Sequence, residues 1–371
     1  MTPSPLSTTI ALRSITVYRY RLPLTHAVRW GDCKHRQREG LLVRVRSAEH
    51  EGWGDVAPLP GFSAASLDAV AEVCQRDVTS APPRHVRVAQ TEEALEIGWE
   101  TSDLPPSLAF GIEGAAADLA ARHLGMSLSH LFGSAPRTTV AINALVAATP
   151  DAIAQATSLR DTGYRTLKLK VGRADWAEEA AVVRTLHAAL GADVSLRLDA
   201  NRAWSVDDAR AFAEAVQDVP VAYVEEPLAD PAALPAFAAA APVPVALDET
   251  ARTLAPADLP AHAYAEAVVL KPSLTGLTTT LDWMRAASDT QTRTVLSSAY
   301  ESGIGMRLLV ALAAAAPSAD AAGFGPYRRL DRDVLRPRLP LDGPTVRVAE
   351  AVPPSPSVQG SSLDVLAHTK C

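Results

Sequence analysis

Leu167-Lys168-Leu169-Lys170-Val171, Leu196-Arg197-Leu198-Asp199-Ala200-Asn201, Tyr223-Val224-Glu225-Glu226-Pro227, Val245-Ala246-Leu247-Asp248-Glu249 and Val268-Val269-Leu270-Lys271-Pro272 share one pattern. Each is a short apolar run that ends in a carboxylate or an amine. Their length and β-branched content predict strands, and four of the five are followed by a helical pattern. The charges therefore fall at the same end of successive strands. In a barrel of parallel strands, that end is where chemistry is done.

Working outward, strand-like runs begin near Val140, Thr166, Val194, Val221, Val243, Ala267 and Thr294, with a weaker eighth near Ala321. The steps are roughly 22 to 28 residues, enough for a strand, a loop and a helix. Helical candidates at 150–161, 175–190, 205–217, 230–240, 254–264, 277–288 and 303–315 lie between them. So many equal units predict a β/α barrel, here placed at 133–324. Before it, Ile15–Leu22 and Gly40–Ser47 alternate like antiparallel strands, with Thr25–Gln37 a polar loop able to cover a site. Gly52-Trp53-Gly54-Asp55-Val56-Ala57-Pro58-Leu59-Pro60-Gly61-Phe62-Ser63 reads as a strand and a tight loop, with Ser63 capping a helix that begins near Ser66. An Ala-rich helix is predicted from about Pro105 to Leu124, closed by Gly125. Strands first and helices afterwards give residues 1–132 an α+β character. The Arg/Pro-rich segment 325–350 is expected to return to that domain. The first ten residues are expected to fray, and 351–371, with its Pro/Ser-rich stretch, to form a flexible tail.

The chain has 371 residues, of which 48% are apolar and 21% charged, so it can bury a sizeable core and is not globally disordered. A net charge of −7 leaves no basic footprint for nucleic acid or an anionic membrane. Cys33, Cys74 and Cys371 are widely spaced, which suits a reducing compartment better than a disulfide framework. No signal peptide or spanning segment is evident, so a cytoplasmic protein is expected, as a monomer or small homo-oligomer.

Lys168 and Lys170 are two apart, so they share one face of their strand. With Leu167, Leu169 and Val171 supplying the apolar outer layer, the lysines look inward. Taken alone, Lys-x-Lys reads equally well as a solvated edge. Two inward ammonium groups would depress each other's pKa, and a lysine so treated can act as a general base. Asp199, Glu225 and Asp248 end successive strands. Three carboxylates at one rim repel one another unless a cation sits between them, and an all-oxygen set suggests Mg²⁺, with Mn²⁺ as a substitute. A single such acid reads better as a helix cap, but three in phase, with Lys271 at the next strand end, favour the site. By alternation Glu226 and Glu249 should point away from the metal or support its ligands. Arg197, Asn201, Ser297 and Ser298 are candidates for substrate contact. The helix opened by Glu301-Ser302-Gly303 presents amides that could bind a carboxylate, with ordinary capping the alternative. The nine histidines are scattered, none at these strand ends.

The ordered set Lys-x-Lys, Asp, Glu, Asp, Lys resembles the enolase superfamily in its muconate-lactonising branch, and within it the o-succinylbenzoate synthase family. The resemblance rests on LRLDANRAW (196–204), Glu225-Glu226-Pro227, KPSLTG (271–276), Ser297-Ser298 with Glu301-Ser302, GWGDVAPLPGFS (52–63) and PSLAFG (106–111). It implies a modified TIM barrel, (β/α)₇β, under an α+β capping domain completed by C-terminal residues. It also implies a lyase of menaquinone biosynthesis that dehydrates a small carboxylate, 2-succinyl-6-hydroxy-2,4-cyclohexadiene-1-carboxylate, to 2-succinylbenzoate. On that resemblance Lys170 is the base, Asp199, Glu225 and Asp248 hold Mg²⁺ beside an enediolate, Lys271 stabilises the anion from the far side and Lys168 tunes Lys170. The loops at Thr25–Asp32 and Pro60–Ser63, with Phe62 and Ser63, would close over the succinyl chain. An N-succinylamino acid racemase or dipeptide epimerase on the same scaffold, and a Schiff-base aldolase on a β/α barrel, are the rival readings.

Overall fold

The computed structural model describes residues 6–80, 82–90, 95–99, 101–147, 151–360 and 363–371. The strands before the barrel are β1 (Leu6–Ala11), β2 (Ser14–Trp30), β3 (Cys33–Arg46), β4 (Glu51–Val56), β5 (His85–Gln90) and β6 (Leu95–Gly98). There follow β7 (Thr139–Ala141), β8 (Ala144–Val146), β9 (Thr166–Lys170), β10 (Ser195–Asp199), β11 (Val221–Glu225), β12 (Val245–Leu247), β13 (Ala265–Leu270) and β14 (Arg293–Leu296). Two more close the chain, β15 (Thr345–Arg347) and β16 (Leu363–Lys370).

Strands β8 to β14 form one seven-stranded sheet in sequence order, every pair of it parallel. Isolated parallel bridges Ser297↔Gly323 and Ile142↔Ala322 carry the chain around 322 across the gap between β14 and β8. The weak eighth run near Ala321 thus closes the barrel. The expected capping sheet and modified barrel are both present. The run near Val140 resolves into two strands: β7 pairs antiparallel with β15, and only β8 enters the barrel.

Residues 25–37, read from sequence as a polar loop, instead continue a long β2–β3 hairpin that turns at Gly31-Asp32. The hairpin reaches beyond the core, so its side chains need not alternate in polarity. Ser63 does not cap a helix; Ser66 caps Leu67–Val73, its side chain accepting from the Ala69 amide at 3.2 Å. The expectation for the N-terminus falls partly outside the described residues, at 1–5, while Leu6–Ala11 pairs with β5. Residues 361–362 of the tail also lie outside them, as does Pro150 of the helix expected from 150. Residues 363–370, expected to be flexible, form an antiparallel strand on β2. Their apolar–polar alternation, which follows the Pro/Ser-rich stretch, supplies the reason. Segment 325–350 touches both neighbours, through Leu24↔Leu330 and through β15 on β7.

The helix Pro106–His123 is buried from Ser107 to Ala121 and lies against β4. Its closeness requires glycine: a Cβ on Gly54 would stand 1.7 Å from the Gly111 carbonyl oxygen. Gly54→Ala is therefore expected to destabilise the fold by about 2–3 kcal/mol, because backbone must move to admit the methyl. A denaturant midpoint equal to wild type would refute that. Glu113 on the same helix accepts from the Leu277 and Thr278 amides at 2.8 and 3.1 Å, capping helix Leu277–Asp289 and fixing the capping sheet's helix to the barrel.

Candidate active site

Alternation on β9 works as the pattern predicts. Leu167 and Leu169 are buried outward, and Lys168 and Lys170 turn into the barrel. Lys168 is in register with Arg197, Lys170 with Asp199, and Asp199 with Glu225. Asp248 and Lys271 stand one residue past β12 and β13. The strand order puts β9 and β13 on opposite arcs with the acids between them.

The groups meet. Lys168 Nζ lies 2.8 Å from Asp199 Oδ2 and 2.8 Å from Glu225 Oε2. Lys170 Nζ donates to Asp199 Oδ2 and to Asn201 Oδ1, each at 2.6 Å. Lys271 Nζ contacts Asp248 Oδ2. The three acids are at most 2% exposed. Burial, Asp199 and Asp248 push Glu225 up to about 8, against the pull of Lys168. Asp199 is held below the usual carboxylate range: burial opposes this, but Lys168 and Lys170 outweigh it. The expectation that paired lysines depress each other fails for Lys168. Burial lowers its pKa, yet Glu225 and Asp199 raise it further, so it ends well above the ordinary value.

Among the described residues, no three His, Cys, Asp or Glu side chains already gather into a cage for a metal ion. The ammonium groups hold the acids instead. The donor chemistry nonetheless fits a hard divalent cation: three buried carboxylates end the adjacent strands β10, β11 and β12, and Asp248 Oδ1 is buried without any hydrogen-bond partner.

Other sequence candidates have hydrogen-bond partners of their own. Alternation gives a residue's face but not its depth, and Arg197 sits one layer below the rim. Its guanidinium donates to the Ala321 carbonyl at 2.6 Å and Asp320 at 2.9 Å, so it plugs the barrel floor and does not reach the mouth. Ser297 and Ser298 hydroxyls donate to the Gly323 carbonyl at 3.4 and 3.3 Å, fastening the closing strand. Ser63 Oγ accepts from the Leu59 amide at 2.9 Å, and Phe62 is 44% exposed. Ser63 lines a cavity of about 650 Å³ with Trp30, Lys34 and Arg36. The helix start at Ser302-Gly303 does bind carboxylates, but internal ones: Ser302 N donates to Asp55 at 2.7 Å and Gly303 N to Asp333 at 2.8 Å.

Two residues near the site, Leu145 and Arg38, escaped the sequence reading, while Glu226, expected to point away from the metal or to support its ligands, grips the Asp248 amide. Leu145, in register with Lys168 and so on the same face of the sheet, is 44% exposed, an apolar surface beside the lysine strand. Its only signal was alternation over a three-residue strand. Arg38, 1% exposed, donates to the carbonyls of Ala57, Pro58 and Tyr300, tying β3 to the loop after β14. Glu226, fully buried with φ +42°, accepts from Asp248 N at 2.9 Å, Thr250 N at 2.6 Å, Thr250 Oγ1 at 2.8 Å and Arg202 Nε at 2.9 Å. It braces the ends of β10, β11 and β12 together.

Asp55 joins the capping sheet to the barrel, also receiving Tyr20 Oη at 2.9 Å and Ser302 Oγ at 2.9 Å. Burial raises its carboxyl to about 7, with the Tyr20 and Ser302 bonds opposing. A folded-state pKa above the unfolded value gives stability that is full below about pH 4 and is lost as pH rises through 7. Asp55→Asn should remove this component, on the order of 4 kcal/mol across that window. Parallel stability–pH curves for variant and wild type would contradict it.

A barrel of parallel strands with amines and acids at one rim, under a separate antiparallel sheet, is the architecture of enolase-type enzymes. In fold the chain matches a dipeptide epimerase from Cytophaga hutchinsonii complexed with Mg and D-Ala-L-Val (TM-score 0.78, 19% identity, covering 97% of this chain and 100% of that one). It likewise matches a muconate lactonizing enzyme from Pseudomonas fluorescens complexed with muconolactone (TM-score 0.76, 22% identity, 95% and 98%). Residues 151–356 match the enolase C-terminal domain-like family, and 12–119 the MenC N-terminal domain. The o-succinylbenzoate synthase of Yersinia pseudotuberculosis is 32% identical over 335 residues, covering 88% of this chain and 94% of that protein. That of Citrobacter koseri is 33% identical over 314 residues, 82% and 87%. The chain belongs to the enolase superfamily, in the family of o-succinylbenzoate synthases. Among the described residues, no helix is long and apolar enough to cross a membrane.

Proposed function

We propose that the chain catalyses the syn-dehydration of 2-succinyl-6-hydroxy-2,4-cyclohexadiene-1-carboxylate to 2-succinylbenzoate. The observation that carries this reading is the array itself: buried acids on β10–β12, flanked by Lys170 on one arc and Lys271 on the other. The relatives' names favour this reaction among those the array can perform.

Lys170 takes the proton from ring carbon 1, beside the carboxylate. Its Nζ is aimed by two acceptors, Asp199 and Asn201, which restrict it to one direction. Asp199, Glu225 and Asp248 are the residues that would hold Mg²⁺, or Mn²⁺ in its place; when bound, the cation supplies the positive charge that makes a proton next to a carboxylate acidic enough to remove. The electron pair left on carbon 1 then expels hydroxide from carbon 6. Lys170, now an ammonium, returns its proton to that hydroxide from the same face, so water leaves and the ring becomes aromatic. Lys271 keeps a positive charge on the opposite face through this step. Lys168 stays an ammonium between Asp199 and Glu225, fixing the field around Lys170. Leu145 offers the ring an apolar surface.

The test is to supply the cyclohexadiene substrate with Mg²⁺ and follow aromatisation by ultraviolet absorbance. Aromatisation that EDTA abolishes and Mg²⁺ restores is expected. Absence of that signal, together with racemisation of an N-succinylamino acid, would assign the array to racemisation. Activity resistant to EDTA with a borohydride-trapped adduct would assign it to Schiff-base chemistry.

A further inference from the structure

A second cleft, of about 540 Å³, lies away from the catalytic lysines. Its walls come from the β3–β4 turn, the end of helix Pro106–His123, Arg307 on helix Gly303–Ala315, and residues 352–356. Two guanidinium groups there share one buried carboxylate. Asp118 Oδ2 accepts from Arg122 Nη2 at 2.8 Å and from the Trp53 amide at 3.0 Å, and Oδ1 accepts from Arg307 Nη2 at 3.2 Å. Arg307 Nη2 also donates to the Pro353 carbonyl at 2.9 Å. The Nε atoms of both arginines are buried without a hydrogen-bond partner among the described residues.

Charge does not balance at this point. Arg307 and Asp118 are 2% and 3% exposed and Arg122 only partly reaches water, so two cations face one anion with little solvent between them. Burial lowers the Arg307 pKa, Asp118 opposes this, and the Arg122 charge lowers it again. The acids on the opposite wall do not offset the excess. Glu51 is engaged by Trp53 Nε1 at 2.9 Å and lies within 4.0 Å of Arg44 and 3.9 Å of Arg46. Glu49 is exposed at the rim. An uncompensated buried cation is costly, and a charge-assisted bond to an incoming oxygen anion relieves that cost.

We propose that the Arg122–Arg307 cleft binds a compact oxoanion, of the inorganic phosphate or small dicarboxylate class. Guanidinium groups take such ions in paired N–H···O bonds. Bound there, the ion loads the same helix whose first turn, at Ser302-Gly303, is anchored to Asp55 and Asp333 beside the barrel mouth. It binds the folded state alone, so it should raise the melting temperature.

The test uses the full chain without added metal, titrated separately with inorganic phosphate and with succinate by calorimetry and thermal melting. Saturable binding of one of them in the millimolar range or tighter is expected, with a concentration-dependent rise in melting temperature. Arg122, at the cleft edge with 12% of its side chain exposed, is the residue to change. Arg122→Gln should weaken that binding about tenfold or more, with an unchanged circular dichroism spectrum. Should that variant fold poorly, Arg122→Lys keeps the charge but loses the fork, and a several-fold weaker affinity is expected. Failure of both ions to saturate, or affinity unchanged in the variant that folds, overturns the proposal. The second result would place the ion among Lys168, Lys170 and Lys271 instead. Neither outcome depends on the dehydration reaction.

Discussion

Lys170→Ala is expected to lower kcat by about 10³- to 10⁴-fold, the range for removal of a positioned general base. The protein should stay folded, because Lys170 is partly exposed and Asp199 keeps a second ammonium, Lys168, at 2.8 Å. Substrate affinity should change far less than turnover, since the proton transfer is felt in the transition state and not in the bound ground state. Lys168→Ala is the informative comparison. It removes the bridge between Asp199 and Glu225, leaving two buried carboxylates with one fewer cation, so it should cost stability as well as rate. The measurements are single-turnover aromatisation, circular dichroism and Mn²⁺ binding for both variants. Near-wild-type turnover in Lys170→Ala would take the base assignment away from it.

Much of this arrangement was legible in the chain because two periodicities coincide. Alternation over Leu167–Val171 fixes which side of the strand the lysines occupy, and recurrence of the strand, loop and helix unit brings Asp199, Glu225, Asp248 and Lys271 to the same rim. What stayed hidden has physical reasons. Alternation is blind to depth along the barrel axis, so Arg197 looked like a rim residue while it pairs with Asp320 beneath. The run around Val140 is one apolar stretch in sequence but two strands in space, because a partner for its first half arrives some two hundred residues later, as β15. The hairpin through residues 25–37 projects beyond the core, so burial imposes no pattern on it. The lysine pKa shift had the wrong sign because the counter-charge on Lys168 comes from β10 and β11, not from its own strand. Alternation turned Glu226 away from the metal or into a support for its ligands, but not onto particular donors, because its contacts depend on a left-handed backbone that two-residue alternation does not describe.

That residue carries the other large expectation. Glu226→Ala should destabilise the protein by about 3–5 kcal/mol, the usual result of removing one member of a buried charged set. Four donors, on Asp248, Thr250 and Arg202, would lose their acceptor. The Arg202 charge, with 28% of its side chain exposed, would keep water and the bond to Thr250 Oγ1. The effect should extend beyond stability. Glu226 follows Glu225 in the chain and grips the Asp248 amide, so it sets the spacing between two of the acids that would hold the cation. Partners of this kind typically account for 10- to 100-fold of metal affinity, and Mn²⁺ titration should show a loss of about that size. Glu226→Gln separates the two contributions. The amide retains one acceptor oxygen for the Asp248 and Thr250 amides but gives up the charge facing Arg202. Stability should then recover in part, while Mn²⁺ affinity should return nearly to wild type, because the amide contacts and not the charge set the spacing. Equal Mn²⁺ affinity in wild type and Glu226→Ala, measured on folded protein, would reduce Glu226 to a packing role and leave the spacing of the acids to the strands alone.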